Sequence, residues 1–162
     1  IRIKNLEFRY AADSTPVLRS VDAQVGDGQY VAVIGPNGCA KTTLAKHLNG
    51  LLTPMSGDVW VDDMNTRDTA SLRDIRRVVG MVFQNPDSQI VGMTVEEDLA
   101  FGPGNLRLPA ADIRERVEES LRTVGLAGNG DEPFLTADAT LSGGEKRLVA
   151  IAGVLAMRPR YI

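Results

Sequence analysis

The chain has 162 residues, enough for one compact domain with a sizeable core, and its 43% hydrophobic and 24% charged residues are an ordinary globular balance. A net charge of −3 speaks against a nucleic-acid surface, and the single cysteine, Cys39, excludes an internal disulfide or a cysteine-cluster metal site. The longest apolar run, Leu148 to Met157, falls short of the roughly 20 residues a spanning helix needs, and no stretch reads as a signal peptide, so any membrane role has to come through a partner.

Ile1 to Tyr10 alternates apolar and polar residues at the period of a half-buried strand, and Val17 to Val25 alternates less strictly as a second strand after a polar turn at Ala11 to Pro16. Gly26-Asp27-Gly28 reads as a hairpin turn leading into Gln29 to Ile34, so an antiparallel pair is expected there. The continuous apolar run Val31 to Ile34 predicts a buried central strand. A helix follows from Lys41 to about Leu52, with Leu44, Leu48 and Leu51 on one face. Asp58 to Asp62 is a short strand carrying Trp60, Ser71 to Arg77 a turn or two of helix, and Val78 to Phe83 a second buried strand ending at Gln84.

Composition then shifts: Asn85 to Arg107 is rich in Gly, Pro and Asn, broken by a helix that Thr94 and Glu97 open as a capping box. Pro109 to Val124 is an amphipathic helix with Ile113, Val117, Leu121 and Val124 on one face and Gly125 past its end. Ala127 to Thr140 reads as loop, and Ser142 and Glu145 open a last helix that runs to about Met157. Pro159 breaks it, and Tyr161-Ile162 look like the first residues of a further strand.

Strand, glycine-bearing turn and helix around Gly35, Pro36, Asn37, Gly38, Cys39, Ala40, Lys41, Thr42 and Thr43 follow the phosphate-loop pattern G-x-x-x-x-G-K-[ST], except that Ala40 stands where the second glycine belongs. Backbone N–H groups and the helix N-terminus suit a bound phosphate. A residue with a Cβ at position 40 is expected to crowd the loop, shift it, or be strained if φ is positive there, and so to weaken binding without abolishing it. Ser142, Gly143 and Gly144 at another helix start form a second candidate anion site. His47 reads as packing or surface, and Glu96-Glu97-Asp98 as a favourable helix N-terminus rather than a metal site. Glu115, Glu118 and Glu119 with Arg114 and Arg116 read as a solvated face.

The loop at Gly35 to Thr43, Gln84 after a buried strand, and Leu141-Ser142-Gly143-Gly144-Glu145 at a helix start stand in a fixed order that resembles the ATP-binding subunits of ATP-binding-cassette (ABC) transporters. Phe83 to Val91, Thr94 to Gly102 and Ile151 to Pro159 more narrowly resemble the energy-coupling-factor and cobalt-type importer ATPases. The resemblance implies an α/β P-loop fold with a parallel core sheet, an antiparallel N-terminal β part and a helical insertion near 85–140, residues 1–84 and 141–162 supplying the core and β parts. It implies ATP and Mg²⁺: Tyr10 stacking on adenine with Val17 nearby, Lys41 at the β- and γ-phosphates, Thr43 at the α-phosphate, and Thr42 and Gln84 as Mg²⁺ ligands, Gln84 also orienting water. Leu141 to Glu145 would close over the γ-phosphate held by a second ATP-binding subunit, identical or sister, alongside a transmembrane coupling subunit and a separate solute-binding membrane subunit, with no nucleic acid involved. The expected location is the cytoplasmic face of the membrane; the solute, metal ion or vitamin, stays open.

The chain stops where the family's Walker B strand begins, so the metal-binding aspartate, catalytic glutamate and switch histidine have no counterparts and no catalytic residue is assigned. These 162 residues alone are therefore expected to turn over ATP poorly or not at all. The rival readings are a binding-only module and a soluble cassette ATPase uncoupled from transport. Whether Ala40 is natural divergence or an altered position stays open.

Overall fold

The computed structural model describes residues 1–12, 14–126 and 141–162 and divides into two compact units, Ile1–Val79 and Gly80–Ile162. The expected loop at 127–140 lies outside the described residues.

In the first unit, β1 (Arg2–Phe8), β2 (Leu18–Gln24), β3 (Ser56–Val61) and β4 (Met64–Asn65) form an antiparallel sheet in the order β2-β1-β3-β4. Strict alternation along β1 would place Ile3 and Leu6 on opposite faces, yet both are buried together with Phe8. Asn5 resolves this: at φ 49° it interrupts the register and turns Leu6 and Phe8 inward. On β3, Gly57 at φ 73° faces this irregularity, and a Cβ there would overlap the Asn5 carbonyl. Ile3, Leu6, Phe8, Leu18 and Val59 make the core, against which Val21, Ala40, Leu44, Leu48 and Leu52 pack. Helix α1 (Lys41–Leu48) is shorter than expected, and Leu51 lies beyond it and is exposed. Helix α2 (Leu72–Val78) buries Ile75. Trp60 lies in β3 under the Arg2 guanidinium, 4.6 Å from its ring.

Two expected strands do not form. β2 pairs with β1 rather than with residues 29–34, which carry no strand hydrogen bonding among the described residues. Tyr30 is 99% and Ile34 91% exposed, since an apolar run becomes a buried strand only when neighbours supply a ladder. Residues 78–83 likewise form no strand: Val78 ends α2, and the Gly80 N–H donates to the Tyr161 carbonyl at 2.8 Å as a single bridging contact.

The second unit is a three-helix bundle of α3 (Val95–Asn105), α4 (Ala110–Thr123) and α5 (Gly143–Ala156) around Val95, Leu99, Val117, Leu126, Val149 and Ala152. Its ends follow the residues anticipated for them. Thr94 and Glu97 make both halves of a capping box, as do Ser142 and Glu145. Past α4, Gly125 at φ 76° lets its own N–H reach Arg122 C=O and the Leu126 N–H reach Leu121 C=O, a Schellman closure. Ile113, Leu121 and Val124 pack on the core beside Val117. The charged side of α4 is more than a solvated face: Arg116 donates to the Ala156 and Met157 carbonyls at the end of α5, and Glu119 pairs with Arg158 at 2.6 Å. Among the described residues no helix is long and apolar enough to cross a membrane.

Candidate nucleotide-binding site

The loop from Gly35 to Ala40 turns through a Cys39 N–H to Pro36 C=O contact of 3.4 Å and delivers the chain into α1. Ala40 is the N-cap of that helix at φ 69°, ψ 21°, the left-handed region, so the loop keeps the glycine-type conformation with a residue that is strained in it. Its methyl packs against the sheet core, and the loop accommodates it without leaving that conformation.

No side chain caps α1 and no acid stands in its first turn. The N–H groups of Lys41, Thr42 and Thr43 have no acceptor among the described residues, the donor pattern of a helix terminus open to an anion. The Lys41 ammonium lies across the loop, donating to the Gly35 and Pro36 carbonyls at 2.8 Å each and approaching Cys39 Sγ at 3.7 Å. A phosphate would exchange these neutral acceptors for charged ones. Thr42 is exposed, open to a ligand, whereas Thr43 is 6% exposed.

The structure brings Tyr10 to this helix. Its hydroxyl and Thr43 Oγ1 are 2.8 Å apart, while its ring, in a residue 63% exposed, stands edge-on to Phe8 at 5.0 Å. The ring is thus exposed and tethered at its polar end beside the loop that leads into α1. Beneath lies His47, 0% exposed, with Nδ1 2.7 Å from the Thr43 carbonyl and its ring 4.6 Å from Phe8. Burial pushes the imidazole pKa below its ordinary value, against the opposing effect of the Thr43 bond.

In the second unit, Gln84, Asn85, Pro86 and Asp87 line a cleft of 460 Å³ with Gly143 and Arg147, so Gln84 and the Gly143 end of α5 share one cleft. The stretch is held by short polar contacts. Asn85 Oδ1 accepts from the Asp87 N–H at 3.2 Å to start a single 3-10 turn, Pro86–Ser88. Asp87 pairs with Lys146 of α5 at 2.9 Å. Gln89 replaces a missing strand neighbour: its Oε1 accepts from the Phe83 N–H at 3.0 Å and its Nε2 donates to Met81 C=O at 3.3 Å.

At the head of α5, Ser142 Oγ accepts from the Glu145 N–H at 3.3 Å and Glu145 Oε2 accepts from the Ser142 N–H at 2.8 Å. The Ser142 hydroxyl and N–H together hold the Glu145 carboxyl below the usual carboxylate range. Gly143 and Gly144 are exposed, and Leu141 packs on the bundle.

The Phe8–His47 contact, the Gln89 clamp and the Asp87–Lys146 pair were not anticipated from the residues. The i, i+4 spacing of Thr43 and His47, and the i, i+2 spacing of Phe8 and Tyr10, were the signals available for the first of these.

The ABC transporter family matches residues 18–162, and the chain belongs to that family, with its α/β ABC ATPase fold. More narrowly, it is 57% identical across its whole length to the cobalt import ATP-binding protein CbiO of Syntrophus aciditrophicus (strain SB), covering 56% of that protein. It is 50% identical, again across its whole length, to the energy-coupling factor transporter ATP-binding protein EcfA1 of Caldanaerobacter subterraneus subsp. tengcongensis, covering 58% of it. The chain thus spans little more than half the length of these relatives. Among solved structures, cbiO1 from Clostridium perfringens, part of the ABC transporter complex cbiONQ, matches at TM-score 0.81 and 34% identity over 98% of this chain and 61% of that one. A dimeric ATP-binding cassette in a post-hydrolysis state with ADP and Pi matches at TM-score 0.80 and 28% identity over 98% of this chain and 70% of that one.

Proposed function

We propose that the intact protein is the ATP-hydrolysing subunit of an energy-coupling-factor or cobalt-type importer, acting at the cytoplasmic face of the membrane. The observation that carries the nucleotide part of this reading is the head of α1: three N–H groups without acceptors among the described residues, an ammonium resting on neutral carbonyls, and a tethered aromatic ring beside them; the likeness to CbiO and EcfA1 supports the importer type. Phosphate oxygens fit those donors, and a purine fits the ring. Lys41 would neutralise the β- and γ-phosphates, and the N–H groups of the loop and first turn would orient them. Mg²⁺, held by Thr42 with the phosphates, would supply charge neutralisation.

Ser142 to Glu145 would serve the nucleotide of a second ATP-binding subunit, as the dimeric arrangement of the ADP-bound cassette supports. Residues 85–140 would form the helical insertion, with Gln84 at its start sensing a transmembrane coupling subunit; a further membrane subunit would select the solute. The side chain that polarises the attacking water is assigned to none of the 162 residues, so these residues alone would bind nucleotide and turn it over slowly at most.

The test is ATP binding and ATP-driven solute uptake by the intact protein with its membrane subunits. Lys41→Ala is expected to lower ATP affinity at least tenfold and to abolish uptake. Uptake by that variant at the unmodified rate would refute the reading.

A further inference from the structure

Four residues of the first unit close on one another in a ring, three links through side chains and one through the Thr43 backbone carbonyl. Tyr10 hydroxyl meets Thr43 Oγ1 at 2.8 Å, the Tyr10 ring meets Phe8 edge-on at 5.0 Å, Phe8 meets His47 edge-on at 4.6 Å, and His47 Nδ1 returns to the Thr43 carbonyl at 2.7 Å. A carbonyl only accepts, so Nδ1 carries the imidazole proton and Nε2 is left as a bare acceptor. That Nε2 is buried and has no hydrogen-bond partner among the described residues. An orphaned buried acceptor is a cost that leucine at the same place would avoid, so the packing of α1 alone does not account for a histidine here. What the imidazole adds is a donor to Thr43 on one side and a ring edge for Phe8 on the other.

We propose that His47 is a positioning residue for the base-stacking ring of Tyr10, acting through Phe8 and through Thr43. The inference rests on the nucleotide reading of the loop. Phe8 sets the angle of the Tyr10 ring, 85° to its own, and Thr43, held by its carbonyl, anchors the phenol. The exposed ring is thereby fixed at two points from below, leaving one broad face for a base. Without the imidazole, the ring would have to be ordered at each binding event.

The experiment compares binding of ATP with binding of inorganic tripolyphosphate, which has no base, to the intact protein and to His47→Leu, Tyr10→Phe and the double variant. Each single change is expected to weaken ATP binding about two- to tenfold, the range of one lost hydrogen bond. Tripolyphosphate should stay within about twofold of the unmodified protein. Because both act on one ring, the double variant should fall little beyond the weaker-binding single one. A parallel loss of ATP and tripolyphosphate affinity in His47→Leu would show a general loss of loop order and overturn the proposal, as would unchanged ATP affinity. Should His47→Leu fail to fold, Tyr10→Phe decides alone: its ring keeps the stacking face and lacks only the anchor, so wild-type ATP affinity in that variant overturns the proposal. An unmodified protein that binds tripolyphosphate but no ATP would instead remove the nucleotide reading beneath it.

Discussion

Ala40→Gly isolates the one position where this loop departs from its pattern. Ala40 sits at φ 69°, ψ 21°, where an L-residue with a Cβ is about 1–2 kcal/mol worse than in the right-handed region. Glycine removes that strain. It also removes a methyl packed on the sheet core, worth about 0.8 kcal/mol, and frees the unfolded chain by about 0.5–1 kcal/mol. Global stability should therefore move by less than about 1 kcal/mol in either direction. Binding responds differently. A strained loop lowers its energy by visiting conformers outside the left-handed region, and a bound phosphate has to recover the competent one. About 0.5–1 kcal/mol of that strain returned on binding corresponds to about a two- to fivefold tighter ATP complex in Ala40→Gly. Isothermal titration of the intact protein with ATP, alongside thermal unfolding of the free protein, separates the two effects. Equal ATP affinity in the unmodified protein and in Ala40→Gly would show that the free loop holds its competent shape at full occupancy and would refute the reasoning.

Three further outcomes follow from the same geometry. Thr94→Ala removes the hydroxyl that accepts from the Glu97 N–H at 3.1 Å and should cost about 1 kcal/mol in urea unfolding, with a destabilisation under about 0.3 kcal/mol counting against the cap. Gly57→Ala places a methyl against the Asn5 carbonyl at φ 73° and should destabilise by more than about 2 kcal/mol, because the obstacle is backbone; a neutral effect in the same assay would mean that the β1 irregularity can relax. His47 has a folded pKa below 6.5, so its neutral form favours folding fully above pH 6.5, and stability falls as pH drops below that value because the unfolded chain takes up the proton first. His47→Leu should flatten that acid-side slope in unfolding curves, and an unchanged slope would assign it to other groups.

What could be read from the residues is what local chemistry decides. Thr94 with Glu97, and Ser142 with Glu145, specify helix starts within four residues, and each box forms as written. Ile113, Val117, Leu121 and Val124 specify a helix face whatever lies opposite, and that face does meet the bundle core. The turn from Gly35 into α1 is equally local, and Ala40 takes there the positive φ at which a residue with a Cβ is strained. Strands at 29–34 and 78–83 could not be secured in this way, because an extended apolar run becomes a strand only through partners distant in sequence. In their place stand an exposed segment and a glutamine side chain bonding to Phe83 and Met81. Asn5 was hidden for a related reason: a one-residue irregularity reverses the inward set, and nothing in the pattern of Ile3, Leu6 and Phe8 says where it falls. The Phe8–His47 contact needed the sheet and α1 to be placed against each other before it could be seen.

The two helix heads assigned to phosphate differ in a way that orders their roles. At α1, three successive N–H groups are without acceptors among the described residues, no carboxylate stands in the first turn, and an ammonium is 2.8 Å from two carbonyls of the same loop. At α5, Ser142 and Glu145 occupy two donors reciprocally, and the Glu145 carboxyl, held in its ionised form by those bonds, adds a negative charge at the head. Only the N–H groups of Gly143 and Gly144 are left there for an anion. A free phosphate approaching α5 meets two donors and the Glu145 carboxylate, with Arg147 on the same cleft as Gly143; one approaching α1 meets three donors and a unit positive charge with no carboxylate in the first turn. On the proposed reading, nucleotide affinity in an isolated subunit is expected to reside at α1, with α5 contributing when a second subunit presents its nucleotide. Ser142→Ala should on this argument leave ATP binding to the isolated subunit unchanged while weakening ATP-dependent association of two subunits, measured by sedimentation with and without ATP. A loss of monomer affinity equal to that of Lys41→Ala would place α5 in the same nucleotide site as α1 and contradict the division of labour.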